Sequence, residues 1–173
     1  YARAFADRRR LRTVRDADTM NRLYQLEVSP SVTGTLADHR VALKPSDLAA
    51  AATALAGELG AGASGSRPQA FAQGIWDAMV ADLQANQGSS IVIAGDDQPA
   101  AVHALAHALN DALGNVGSTV RYVMPAAARP TNHGAELTEL VAAMNGGDVS
   151  ALVIFDANPV YTAPAALNFT QAL

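Results

Sequence analysis

Ser90-Ile91-Val92-Ile93-Ala94-Gly95 is a short, unbroken apolar run, and Asp96-Asp97-Gln98-Pro99 follows it with the residues that begin a helix. Val102, Leu105, Ala106, Leu109 and Leu113 then recur at helical spacing until Gly114-Asn115-Val116-Gly117 stops the pattern. Thr119-Val120-Arg121-Tyr122-Val123 reads as a second strand. A second helix carries Leu137, Leu140, Val141 and Met144 and ends at Gly146-Gly147. Ala151-Leu152-Val153-Ile154-Phe155 reads as a third strand. A run as apolar as 90–95 is expected of a strand buried on both faces. Strand–helix–strand–helix–strand is the order of a right-handed parallel unit with helices covering the sheet. The expected fold is therefore α/β, a Rossmann-like three-layer domain with a mostly parallel sheet.

Upstream of this unit the pattern is looser. Pro68 opens a helix with the stripe Phe71, Ile75, Met79 and Leu83, closing near Gly88. Before it, Gly60-Ala61-Gly62-Ala63-Ser64-Gly65-Ser66 has the composition of a flexible connector. Ser46 or Asp47 can cap a helix with Leu48, Ala52, Leu55 and Leu59 on one side and Gly60 at its stop. Residues 31–45 lack periodicity and read as loop. Arg22 to Val28 alternates polar and apolar residues like a strand, and Tyr1 to Arg12 fits an amphipathic helix. This divides the chain into 1–45, a basic helix with a strand and loop, and 46–173, the α/β domain.

Composition narrows the classes. The chain has 173 residues, 50% hydrophobic and 16% charged, with a net charge of −4, a profile unlike that of disordered chains. Of its residues 38 are Ala, so its helices should pack closely against thin strands. No apolar stretch approaches the roughly 20 residues that span a bilayer. With no Cys, the segment holds neither disulfides nor thiolate-ligated metal centres. Tyr1 is not an initiator Met and Leu173 falls in mid-pattern, so the chain is expected to be part of a longer polypeptide.

Charge is uneven. Seven of the twelve basic residues (Arg3, Arg8, Arg9, Arg10, Arg12, Arg15 and Arg22) precede position 23, against Asp7, Asp16 and Asp18. That arm carries +4 and leaves −8 for the rest. A basic arm can bind nucleic acid or anionic lipid, or dock on another part of its own assembly. Few aromatic residues lie near it to stack on bases, so no nucleic-acid partner is expected.

In an open parallel sheet, ligands bind beyond the carboxyl ends of the strands. Those ends are Gly95-Asp96-Asp97-Gln98-Pro99 and Asp156-Ala157-Asn158-Pro159. The first has no Gly-rich phosphate turn. It carries two carboxylates, and Pro99 lacks an N–H, which argues against an ordinary nicotinamide or flavin dinucleotide. Asp96 and Asp97 read either as helix caps or as acceptors for base N–H groups or a partner subunit. His103 and His107 have the i, i+4 spacing of a shared metal, but neither a Cys nor an H-E-x-x-H motif supports them, so no metal site is expected. Tyr161 and Thr162 follow a strand end, where Pro159 and Pro164 favour a simple turn. Neither a G-x-S-x-G elbow nor a Walker loop is present, and no catalytic set is assigned.

Three groups of residues together carry a resemblance. They are Met20-Asn21-Arg22-Leu23-Tyr24 with Thr33-Gly34 and Ala37-Asp38-His39-Arg40; Ile91 to Gln98 with His103-Ala104-Leu105 and Leu109-Asn110 to Gly117; and Leu152-Val153-Ile154 with Asn158 to Pro164. The combination, spanning nearly the whole chain, resembles the molybdopterin oxidoreductase superfamily in a region that binds a pterin guanine dinucleotide. Within it, the sequence is most similar to the molybdopterin-like iron–sulfur B subunits of bacterial alternative complex III. The resemblance implies a parent with a twin-arginine-type leader and a ferredoxin-like half holding iron–sulfur clusters. It also implies a membrane-associated respiratory complex, on the periplasmic side, that oxidises quinol and passes electrons to a cytochrome or oxidase. Partners would be the other subunits and the rest of the same chain, without direct membrane insertion of this segment.

By that resemblance, the cofactor-facing positions are Gly95, Asp96, Asp97, Gln98, Gly114, Asn115, Gly117, Asn158 and Pro159. Asp96 and Asp97 depart from what phosphates favour, Asp156-Ala157 replace glycines before Asn158, and the turn after Gly117 is short. A cofactor pressed against backbone favours glycine, since a side chain would occupy its space. The departures fit a subfamily in which this half has lost its pterin and serves as scaffold. Two other readings are an active molybdenum or tungsten oxidoreductase with Gln98, Asn115 and Asn158 lining a pterin pocket, and an unrelated Rossmann-like nucleotide-binding module.

Overall fold

Leu26 and Val41 lie side by side in the one sheet found among the described residues. The computed structural model of the chain describes residues 2–124 and 132–173; Tyr1, counted above in the N-terminal helix, lies outside them. Strands β1 (Tyr24–Glu27) and β2 (His39–Ala42) pair in parallel, with Tyr24 opposite His39 and Glu27 opposite Ala42. Between them runs a single helical turn, α2 (Val32–Thr35), capped by Ser31 Oγ accepting from the N–H of Gly34 at 3.0 Å. Ser31 also donates to the carboxylate of Glu27, and Arg40 pairs with that same carboxylate from β2. Glu27 is 7% exposed. A buried carboxylate without partners would be costly, and these two donors satisfy it. The Ser31 hydroxyl, followed by Arg40, holds its pKa below the usual carboxylate range.

Before the sheet come α1 (Ala2–Asp7) and a 3₁₀ turn (Val14–Thr19), a shorter helix than the 1–12 expected. At the start of the 3₁₀ turn the Asp16 carboxylate accepts the N–H groups of Arg12 and Thr13, at 2.7 and 2.6 Å. Arg9 anchors the arm with a two-pronged pair to Asp38, at 2.6 and 2.8 Å, and a bond to the carbonyl of Asn21 at 2.9 Å.

Three long helices follow: α3 (Pro45–Glu58), α4 (Gln73–Ala85) and α5 (Ala100–Ala112). Ala51, Ala54 and Ala56 of α3 are essentially inaccessible, and α3 packs on α5. Here the small alanine side chains allow the close approach that composition suggests. Trp76 and Phe71 form the bulky centre, edge to face with centroids 5.0 Å apart, and the indole N–H donates to Glu58 at 2.8 Å. Val41, Leu43, Leu55, Met79 and Leu109 complete the same core, with Tyr24 and Leu26 against it. Arg22 and Tyr24 both reach Asp82 of α4. Burial, and next the bond to Asp82, push the Tyr24 phenol up to about 12.

The chain forms two compact units, 1–122 and 123–173. In the second, α6 (His133–Gly146) begins with Asn132 accepting from the N–H of Ala135 and ends at Gly147, whose φ of 77° is the left-handed value glycine accommodates. Short helices α7 (Pro159–Thr162) and α8 (Phe169–Ala172) follow, and α8 packs on both α6 and α7.

The architecture is thus mixed α and β with a parallel sheet; β1 lies within the strand expected at 22–28, but the three strands expected of the α/β unit are not in the sheet. Segments 90–95, 119–123 and 151–155 join no ladder among the described residues; the nearest feature is an isolated bridge between Val116 and Val120. Side chains along 91–94 do alternate, Val92 turned toward the core and Ile91 and Ile93 turned out, with Ile93 77% exposed. The segment has cover on one face only, whereas a strand buried on both faces needs paired neighbours and a second layer. Residues 31–45, expected as loop, contain α2 and β2.

Candidate functional site

Asn110 and Asn115 organise the region around the apolar run. Asn110, on the last turn of α5, is 4% exposed, and its amide grips the backbone of Val92 as a neighbouring strand would. Its Oδ1 accepts from the Val92 N–H at 2.9 Å, and its Nδ2 donates to the Val92 carbonyl at 2.7 Å. Asn115, fully buried, donates to Ser90 Oγ and to Asn110 Oδ1, both at 3.1 Å. Ser118 Oγ donates to the Gly88 carbonyl at 2.6 Å, and Thr119 Oγ1 to that of Ser90. Gly114 and Gly117 take φ values of 65° and 87°, which let the chain leave α5 and turn back to this seam.

At the other end of α5, the Gln98 N–H closes a turn on the Gly95 carbonyl at 3.0 Å, and Gln98 Nε2 donates to Asp97 at 3.2 Å. Neither Asp96 nor Asp97 caps α5, which begins after Pro99 with no side-chain cap. Both carboxylates are exposed at its N-terminus, where the helix dipole favours negative charge. They make no ion pair among the described residues. Because α5 has 13 residues, the Gly95–Gln98 and Gly114–Gly117 turns sit about 20 Å apart, one at each end. The structure does not bring them together. Asn158 and Pro159 belong to the second unit: Pro159 is the first residue of α7, and the Asn158 carbonyl accepts from Tyr161 and Thr162 N–H at 3.0 and 2.9 Å. Tyr161 and Thr162 are thus part of a helical turn. Asp156 has a φ of 51°, the left-handed region that favours glycine.

Between 91–94 and α5 lies an open groove of about 220 Å³, lined by Ile91, Val92, Ile93, His103, His107 and Asn110 among others. His107 Nδ1 lies 2.9 Å from the hydroxyl of Tyr122, with the rings 5.3 Å apart. No group of three or more His, Asp or Glu residues suited to a metal occurs among the described residues. The groove offers apolar surface and one His–Tyr contact, which suits packing better than bond-making. Sequence reasoning missed Asn110 as an organiser. The available signal was an Asn on the buried stripe of a helix, where an amide has to find partners.

No family model matches the chain, and no curated protein matches it either. No helix among the described residues is long and apolar enough to cross a membrane.

Proposed function

We propose that the chain is a cofactor-free scaffold domain within a molybdopterin oxidoreductase-like subunit of a membrane-associated, quinol-oxidising electron-transfer complex, on its periplasmic side. The iron–sulfur clusters of such a subunit lie outside this Cys-free segment. The observation that carries the reading is the outward face of 91–94, with Ile91 and Ile93 exposed and no strand paired to it among the described residues. An exposed apolar edge left without a paired strand suits an interaction surface. In the proposed assembly, strands from neighbouring protein cover it and complete a Rossmann-like three-layer sheet.

The residues present do not fit a pterin dinucleotide. Exposed Asp96 and Asp97 would oppose its pyrophosphate, and Pro99 removes a backbone donor where α5 begins. The Asn115 amide is already engaged by Ser90 and Asn110. No step of redox chemistry is therefore assigned to these loops.

Ile93→Lys tests the docking face. Since the side chain is 77% exposed, the isolated chain should lose no more than about 0.5 kcal/mol on urea unfolding. The same change in the full-length subunit, isolated from its host, should abolish recovery of the partner subunits. Normal recovery of partners, or a loss of several kcal/mol in the isolated chain, would contradict the reading.

A further inference from the structure

Residues 8–15 read Arg-Arg-Arg-Leu-Arg-Thr-Val-Arg, five arginines with no acid among them. The structure sorts these arginines into two roles. Arg9 turns inward: it holds Asp38 and the Asn21 carbonyl, and its guanidinium lies 5.3 Å from the centre of the Phe5 ring. Arg8, Arg10, Arg12 and Arg15 are exposed and make no side-chain ion pair or hydrogen bond among the described residues. Three nearby acids have other partners. Asp7 pairs with Arg3, Asp38 with Arg9, and the Asp16 carboxylate accepts the backbone N–H groups of Arg12 and Thr13. Two apolar side chains stand out between the free guanidinium groups: Leu11 is 56% exposed and Val14 is 92% exposed.

We propose that this anchored arm is a peripheral docking site for an anionic lipid surface. Four unpaired guanidinium groups match lipid phosphates, and Leu11 and Val14 are placed to enter the headgroup–acyl boundary between them. A nucleic acid would use the same charges but gain nothing from two bare aliphatic groups, and the segment offers no aromatic ring for stacking. With −8 on the remainder of the chain, the attraction is confined to the arm, so the molecule would meet a membrane in one orientation. This inference does not depend on the scaffold reading, because its test contains no partner protein.

The test is sedimentation of the whole chain with vesicles of phosphatidylcholine alone and of phosphatidylcholine mixed with phosphatidylglycerol. The chain should pellet with the anionic vesicles only, and less so as salt rises. Each basic residue at a surface contributes about fivefold to partition, so replacing Arg8, Arg10, Arg12 and Arg15 together with Gln should lower it about a hundredfold or more. Leu11→Ser with Val14→Ser should lower it about tenfold with all charges kept. Unchanged thermal unfolding checks that both variants fold. Equal binding to neutral vesicles, or full binding by the Gln variant, would overturn the proposal. So would indifference to the Leu11 and Val14 changes, which would make the arm a general polyanion site, or pelleting without vesicles, which would indicate self-association.

Discussion

Among the glycines described, Gly34 leaves the least room for a side chain. A Cβ placed on Gly34 would lie 2.1 Å from Oε1 of Glu27, a carboxylate held in place by Ser31 and Arg40. Gly34→Ala should therefore cost about 1–3 kcal/mol on urea unfolding, as overpacking does. Asp38 gives a second residue-level expectation. The Arg9 guanidinium, and then the N–H of Leu23, hold its pKa at about 2, against the ordinary 3.8. A depressed acid stabilises the fold above its unfolded pKa and loses that contribution as pH falls through its folded pKa. Asp38→Asn should thus be less stable than the parent at neutral pH, and the difference should fade between about pH 4 and pH 2. Unfolding curves over that range would show it; a constant difference would mean that Arg9 does not favour the ionised form.

At the scale of elements, the Asn110 amide does for 91–94 what a neighbouring strand would do. Asn110→Leu keeps the volume but leaves the N–H and carbonyl of Val92 without this partner, so a loss of about 1–3 kcal/mol is expected, with faster amide exchange at Val92. The helices were the most legible part of the sequence. The stripes through Leu55, Met79, Leu109 and Val141 lie on helices except at their ends, Leu59, Phe71 and Leu113, since spacing of three and four depends little on the rest of the fold. Pro68 misplaced one boundary: it starts a turn closed by the Phe71 N–H, and α4 begins only at Gln73. The strand read at 22–28 holds β1, and the other strands were read poorly for a physical reason. β2 is four residues long and has one buried side chain, so no periodicity could announce it. Apolarity at 90–95 and 151–155 spoke for burial, yet Ile93 and Phe155 are exposed, because burial of a strand depends on neighbours that its own residues do not encode.

For the molecule as a whole, the candidate cofactor positions illustrate what motif reading can and cannot supply. Gly114 and Gly117, read as the stop of a helix and by resemblance as cofactor-facing, take φ of 65° and 87°, and the stop is where α5 ends. Spacing along the chain did not reveal that their turn lies at the opposite end of α5 from Gly95 and Gln98, or that Asn115 is fully buried. Asp156 takes a left-handed backbone with φ of 51°, a conformation that favours glycine. The same chain joins a basic arm, an apolar outer face on 91–94 and acidic loops, a distribution that favours docking over chemistry.

The role proposed for this domain is that of a scaffold without a pterin. It is tested most directly by elemental analysis of the full-length polypeptide carrying this sequence, purified from its host, together with fluorescence of oxidised pterin. The expected result is iron from clusters elsewhere in the polypeptide, with neither molybdenum, tungsten nor pterin. Stoichiometric molybdenum or tungsten accompanied by pterin would contradict it and make Gly95–Gln98 and Asn158–Pro159 the loops to mutate.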